Sequence, residues 1–301
     1  MPGLSVHVQG ALWTIGAMAS WSASGGVVRL VALSGMPALE IAFFRALLGT
    51  LIMVPWLVAL RINPLPRRRF GLHAGRGLVE LAAMGCWFTA IAAMPLAEVV
   101  ALGFTAPLFA TLLGALFLGE RLRLRRSVAI AIGLAGAIVI LRPGFQSVTA
   151  AAFLALAAAL ASAGSRVIAR ELSKTESTVV ILASFGFFTT PAMAVAASFV
   201  WQTPSLGQFG WMCLIAVLAA LGHYCITRSL RLCEASEVAP YEFAQMIVAV
   251  AFGYWVFGES PDLWTWVGSV IIAATAVYVM RRESLLRRAR AAAEAADGRG
   301  A

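Results

Sequence analysis

The sequence predicts an all-α integral membrane protein of ten transmembrane helices arranged as two inverted five-helix repeats, and three observations carry that prediction. The 301 residues are 61% hydrophobic and only 12% charged, with a mean hydropathy of +0.87, whereas soluble domains are about half apolar and a quarter charged. The apolar residues fall in runs of about 20, the length at which a helix crosses a hydrocarbon core of about 30 Å. The third observation is internal: residues 94–143 resemble residues 233–282 at a constant offset of 139, without a gap.

Taken in order, charged, Pro-rich or Gly-rich breaks separate ten apolar segments, at 10–31, 38–60, 72–93, 97–118, 127–141, 149–169, 177–199, 209–229, 238–257 and 263–280. Pro37 precedes the second segment and Pro261-Asp262 the tenth, both residue types that favour helix starts. Pro95, Pro107, Pro191 and Pro240 interrupt segments and are hinge candidates. Gly133, Gly136 and the alanines at 157–159 suit close helix packing.

The net charge of +9 lies mostly in short connections and the tail: Arg67 to Arg69, Arg121 to Arg126, and Arg281 to Arg290. Counted on alternating sides, Lys and Arg accumulate on one face, which the positive-inside rule assigns to the cytoplasm. Both termini are therefore expected there. No nucleic-acid-binding pattern accompanies the basic residues, so no nucleic-acid partner is expected. The four cysteines, Cys86, Cys213, Cys225 and Cys233, show no C-x-x-C spacing and no disulfide framework. No metal site or cofactor is expected. Ala17-Met18-Ala19 matches a small-residue cleavage pattern, but no basic region precedes it and the apolar run continues, so the first helix is expected to be retained.

In the repeat, Glu98 pairs with Glu237, Gly119-Glu120 with Gly258-Glu259, and Arg142 with Arg281. Each half holds five crossings, an odd number, so the second half is upside down relative to the first. Inverted repeats are the plan of many secondary transporters, with the substrate site near the midplane between the halves. The divisions expected are a first repeat over 1–143, an inverted second repeat over 144–282 and a basic cytoplasmic tail over 283–301, able to graze anionic lipid.

The stretch PLAEVVALGFTAPLFATLLGALFLGERL (95–122), then GLAGAIVILRPG (133–144), with a weaker second copy ending FGESPDLWTWVGSVIIAATAVYVMRR (257–282), resembles EamA-type members of the drug/metabolite transporter superfamily. The resemblance covers nearly the whole chain. It implies a ten-helix secondary carrier of the bacterial inner membrane, without ATP hydrolysis and not an enzyme, with helices of both halves around a central cavity. Relatives of this kind export amino acids or their derivatives, or take up S-adenosylmethionine or riboflavin. Glu120 and Glu259, at helix ends, fit structural ends in that pattern. The second copy departs from the first where Glu242 and Gln245 replace Gly103 and Ala106, so the cavity is expected to be asymmetric.

An ionisable side chain at membrane depth is costly, so each is a functional candidate that needs a partner. His73, Arg76, Glu80, Met84 and Trp87 share one face of the third segment. Glu80 is either neutralised by Arg76 one turn away or is a proton- or cation-binding group. His223 and Tyr224 lie at similar depth on the eighth segment, and an imidazole there can titrate near neutrality. Tyr241, Glu242 and Gln245 share a face of the ninth. Arg45, on the outer half of the second, is suited to a substrate carboxylate or an outer lock. Arg166, near the cytoplasmic end of the sixth, is a possible gate residue paired with Glu242. Trp13 and Trp87 are candidate walls for a flat or apolar group.

The expected substrate pathway is thus Trp13, Arg45, Glu80, Trp87, His223, Tyr224, Glu242 and Gln245. Charges of both signs suit a small zwitterionic amino acid or an amino-acid-derived metabolite such as a metallophore, exported by alternating access with protons as a candidate coupling ion. The alternative is uptake of S-adenosylmethionine, riboflavin or a similar metabolite. An intramembrane enzyme needs a nucleophile–base pair, H-E-x-x-H or an aspartate dyad, and no Asp precedes Asp262. A membrane scaffold would not need the inverted repeat. The expected partners are a small molecule and the lipid bilayer, with the chain acting as a monomer or homodimer.

Overall fold

The computed structural model describes residues 6–59, 61, 63, 69–118, 124–142 and 149–297. Gly119–Glu120, Arg67, Arg68, Arg121, Arg123 and the predicted repeat boundary at 143/144 lie outside them. The described residues are almost entirely helical: α1 Val6–Leu33, α2 Ala38–Ala59, α3 Phe70–Ala93, α4 Leu96–Gly103, α5 Ala106–Leu118, α6 Leu124–Leu141, α7 Ala150–Leu172, α8 Thr178–Ser198, α9 Leu206–Leu232, α10 Ala235–Val238, α11 Ala244–Phe257 and α12 Leu263–Asp297. A 3₁₀ turn, Ala239–Phe243, joins α10 to α11.

Helix starts follow from side-chain caps on otherwise orphaned backbone N–H groups. Thr149 accepts from Ala152 at the start of α7 and Ser177 from Val180 at the start of α8. Ser205 and Gln208 form a reciprocal capping box at α9. At the other end of α11, Gly258 takes the left-handed φ of 67° that a side chain disfavours. Its amide donates to Tyr254 and that of Glu259 to Gly253, which stops the helix.

By length and composition, six helical stretches among the described residues can each cross a bilayer: α2, α3, Leu96–Phe117, α7, α9 and Leu263–Arg282. Large apolar side chains such as Phe117, Val195, Phe199 and Trp255 are exposed on the outside, which is tolerable in lipid and not in water. The chain is a multi-pass membrane protein.

The 139-residue offset reaches well beyond the stretch in which sequence similarity is visible. It carries the last residue of α1 onto that of α7, α2 onto α8, and α3 onto α9; it also carries the first residue of α4 onto α10 and of α6 onto α12. Packing follows the same symmetry. α1 against α9 has its counterpart in α7 against α3, and α1 against α11 in α7 against α5, while α2–α8 and α6–α12 pair each helix with its own repeat mate.

The fourth and ninth predicted segments, 97–118 and 238–257, are each interrupted rather than continuous. The first breaks at Phe104–Thr105 and the second at the 3₁₀ turn. Pro107 sits in the first turn of α5 and Pro240 at the start of the 3₁₀ turn, positions that need no amide donor. Pro95 is the residue before α4. Pro191 stays inside a continuous α8.

α6 and α12 approach closely through glycine. A Cβ on Gly268 would lie 2.6 Å from the carbonyl oxygen of Gly136, and backbone this near leaves no flexible side chain to yield. Gly268→Val is expected to destabilise the detergent-solubilised protein by about 2 kcal/mol or more, read as a lowered thermal unfolding temperature. An unchanged transition would contradict this packing.

Candidate functional site

A central cavity of about 470 Å³ lies between the halves, lined by residues of α1, α2, α3, α4, α5, α7, α9, the 3₁₀ turn and α11. On α1 the lining residues Met18, Trp21, Ser22, Gly25 and Val28 recur at three- and four-residue steps, one helix face. On α3 the lining runs through Glu80, Met84, Trp87 and Ile91, one residue per turn.

The predicted stripe on α3 divides along its length. His73 is buried, with Nδ1 2.7 Å from Ser184 Oγ. Arg76 donates to the Ile181 carbonyl at 2.8 Å and to Ser165 Oγ at 3.4 Å, and lies over the Phe185 ring. Arg76 is therefore spent on α7 and α8, and it makes no ion pair with Glu80 among the described residues. Glu80 faces the cavity, within electrostatic reach of Arg45, Arg76 and Arg166.

Arg45 lines the cavity too. It donates to Met84 Sδ at 3.2 Å and lies 5.8 Å over the Phe88 ring. Its neighbour Glu40 turns the other way and accepts from the Gln202 amide at 2.9 Å. Arg166 and Glu242 face the same cavity and interact electrostatically, but form no closed ion pair among the described residues. His223 lines the cavity edge-to-face with Trp21, ring centroids 5.3 Å apart. Gln245 completes this side, and its backbone carbonyl accepts from Ser22 at 2.7 Å, tying α1 to α11.

Two predicted pathway residues lie elsewhere. Trp13 and Tyr224 pack edge-to-face at 5.9 Å, with Arg228 over both rings, and neither lines the cavity. Helix geometry explains both placements. Trp13 is five residues before Met18 and so about 140° around α1 from the cavity face, while Tyr224 is about 100° around α9 from His223. Trp21, Phe88 and Phe104 line the cavity and escaped the sequence reading. The small and polar residues Ser22, Ser24 and Gly25 beside Trp21 were the available signal for α1.

The cavity sits on the pseudo-symmetry of the fold and breaks it chemically. Four pairs of repeat-equivalent positions all line it: Met84 and His223, Trp87 and Ile226, Gly103 and Glu242, Ala106 and Gln245. Phe104 and its mate Phe243 meet edge-to-face at 4.8 Å, where the two halves touch across the approximate two-fold axis. Gly103 is small because Trp87 occupies the space beside it; a Cβ there would lie 2.7 Å from the indole. In the second half the equivalents of Trp87 and Gly103 are Ile226 and Glu242, both lining the cavity.

At the end of the bundle marked by the C-terminus of α1, charges from both halves are joined. Arg29, only 8% exposed, pairs with Glu259, donates to the Ile91 carbonyl at 3.3 Å and lies over Phe257. Arg142 pairs with Asp262, whose Oδ1 also accepts from Thr265 to cap α12. Arg142 takes a left-handed φ of 44°, a conformation costing about 1 kcal/mol for a residue with a Cβ.

A multi-pass helical protein of two related halves around a central cavity belongs, by its architecture, among the membrane transporters. The chain belongs to the EamA-like transporter family, whose model matches residues 8–142 and 149–281, one match per half. It is 29% identical over 282 residues to the riboflavin transporter of Vibrio cholerae, covering 92% of this chain and 94% of that one. It is 25% identical over 280 residues to the S-adenosylmethionine uptake transporter of Rickettsia conorii, covering 93% and 95%. A third relative, the pseudopaline exporter CntI of Pseudomonas aeruginosa, is 29% identical over 283 residues, covering 92% and 98%.

Proposed function

We propose that this transporter exports a small zwitterionic, amino-acid-derived metabolite through the central cavity by alternating access. The observation that carries the reading is the presence of Arg45 and Arg166 with Glu80 and Glu242 around one cavity, with no closed ion pair between any two of them among the described residues. A zwitterion supplies the missing partners: its carboxylate to an arginine and its ammonium to a glutamate, each a charge-assisted hydrogen bond. Similarity to a pseudopaline exporter supports the direction and the substrate class. Glu80 and Glu242 are the candidate proton-coupling groups, and Arg166 with Glu242 a candidate gate.

A second reading has its own observation. Trp21, Trp87 and Phe104 give the cavity aromatic surfaces on which a flat heteroaromatic group can stack, and two relatives are named for riboflavin and S-adenosylmethionine. Under that reading the chain takes up such a metabolite.

Both readings place the protein in the inner membrane with both termini cytoplasmic. Reporter fusions at each end test this: a periplasm-dependent reporter should be inactive at both, and activity at either would overturn it. Substrate is tested in proteoliposomes loaded with labelled amino acids, amino-acid-derived zwitterions, S-adenosylmethionine and riboflavin, with and without a pH gradient. Gradient-driven flux of a zwitterion is expected. Flux of riboflavin or S-adenosylmethionine with none of the amino-acid class would replace the first reading with the second.

A further inference from the structure

At the opposite end of the bundle from the Arg29–Glu259 pair, the fold brings together three side chains that are far apart in sequence. His7 lies in the first turn of α1, Cys233 directly follows α9, and Glu237 lies in α10. The imidazole nitrogen, the thiol sulfur and a carboxylate oxygen all lie within 4.8 Å of one another, with His7 Nδ1 3.5 Å from Glu237 Oε2.

We propose that these residues bind a zinc-type divalent cation, which bridges the two halves of the chain. One sulfur, one nitrogen and one oxygen donor suit a borderline metal such as Zn²⁺ and not Mg²⁺ or Ca²⁺, which call for all-oxygen shells. With metal–donor bonds of about 2.0–2.3 Å in a tetrahedral site, neighbouring donors sit roughly 3.3–3.7 Å apart. The imidazole–carboxylate spacing already meets that range, and the sulfur, within 4.8 Å of both, has at most about 1.5 Å to close. Water completes the fourth position.

The surroundings suit a site that holds a metal and still admits it from water. The His7 side chain is 76% exposed and that of Glu237 35%, whereas Cys233 is buried. The thiol donates to the Val6 carbonyl at 3.6 Å, and its sulfur occupies space that a side chain on Gly10 would fill. Cys233 is thus held in place while its two partners face solvent.

Pseudo-symmetry gives an internal comparison. The repeat mate of Glu237 is Glu98, which lies among Arg142, Arg29 and Glu259 at the other end of the bundle. Met94 stands where the second half has Cys233, and Gln146 is the counterpart of His7. The repeat by itself therefore does not call for a thiol and an imidazole around this carboxylate: Glu237 has both, one from each half, where the residues equivalent by the repeat beside Glu98 are Met94 and Gln146.

The test uses full-length protein in detergent, with any histidine tag removed and Co²⁺ as a spectroscopic stand-in for Zn²⁺. Wild type should bind one equivalent, developing a near-ultraviolet thiolate-to-cobalt charge-transfer band that Zn²⁺ abolishes. Cys233→Ser should lose the band, and His7→Gln and Glu237→Gln should weaken binding at least tenfold. Cys86→Ser and Cys213→Ser should match wild type. No band in wild type, or a band that survives in Cys233→Ser, overturns the site. If Cys233→Ser does not fold, the exposed His7→Gln decides: wild-type affinity in that variant also overturns it.

Discussion

Glu242→Gln is expected to lower the transport rate by at least tenfold while leaving the protein folded and in the membrane. The substitution keeps size and shape but removes the charge that faces Arg166 across the cavity. A charge-assisted hydrogen bond contributes about 1.5–3 kcal/mol, and each 1.4 kcal/mol is a factor of ten, so a loss of roughly 10- to 100-fold follows. Proteoliposome flux measures it, normalised to protein incorporated. Glu80→Gln should behave similarly, whereas Trp13→Phe, outside the cavity lining, should leave flux within about twofold of wild type. Unchanged flux in both glutamate variants would remove the acidic groups from the pathway.

The second large effect concerns the joined charges at the far end of α1. Arg29→Met is expected to cost about 3 kcal/mol, because it leaves the Glu259 carboxylate without its cation in a largely dehydrated position. In a thermal unfolding assay this corresponds to a fall of roughly 5–10 °C. Replacing both partners, Arg29→Met with Glu259→Met, should recover most of the loss, since the penalty lies in the orphaned charge more than in the lost attraction. A double variant less stable than Arg29→Met alone would show that the pair itself supplies the stability.

Much of the architecture is legible in the sequence, because lipid demands long apolar helices and the repeat leaves its mark in residue spacing. The helical runs were readable from hydropathy, and helices begin beside Thr149 and Ser177 because those hydroxyls cap backbone amides. Pro107 and Pro240 signal an interruption of the fourth and ninth segments, but not its exact place or its form, a break at Phe104–Thr105 and a 3₁₀ turn over Ala239–Phe243. Phe104, Thr105 and Phe243 continue an apolar pattern through the break, and only Pro107 and Pro240 mark its vicinity.

For the cavity, charge in an apolar setting was the productive signal. Arg45, Glu80, Arg166, His223, Glu242 and Gln245 all reach it, since polar groups rarely face lipid. Aromatic residues carried no such constraint, as an indole is equally at home against lipid, protein or a ligand. Trp87 therefore lines the cavity, Trp13 does not, and Trp21 could be recognised only from the residues sharing its helix face. Pairing was equally hidden: Arg76, one turn from Glu80, reaches instead to Ile181 and Ser165 on helices that the sequence does not place beside it.

Under the proposed function, the cavity between the halves is a transport path exposed alternately to the two sides of the membrane. Gln245, a cavity-lining residue whose repeat mate is Ala106, reports on it directly. With the four native cysteines replaced by alanine, Gln245→Cys is labelled with a membrane-impermeant thiol reagent in sealed right-side-out and inside-out vesicles. Labelling from both faces, in vesicles where a cysteine placed at Val8 reacts from one face only, is the result expected of an alternating path. Labelling of Gln245→Cys from a single face, or from neither, would contradict it.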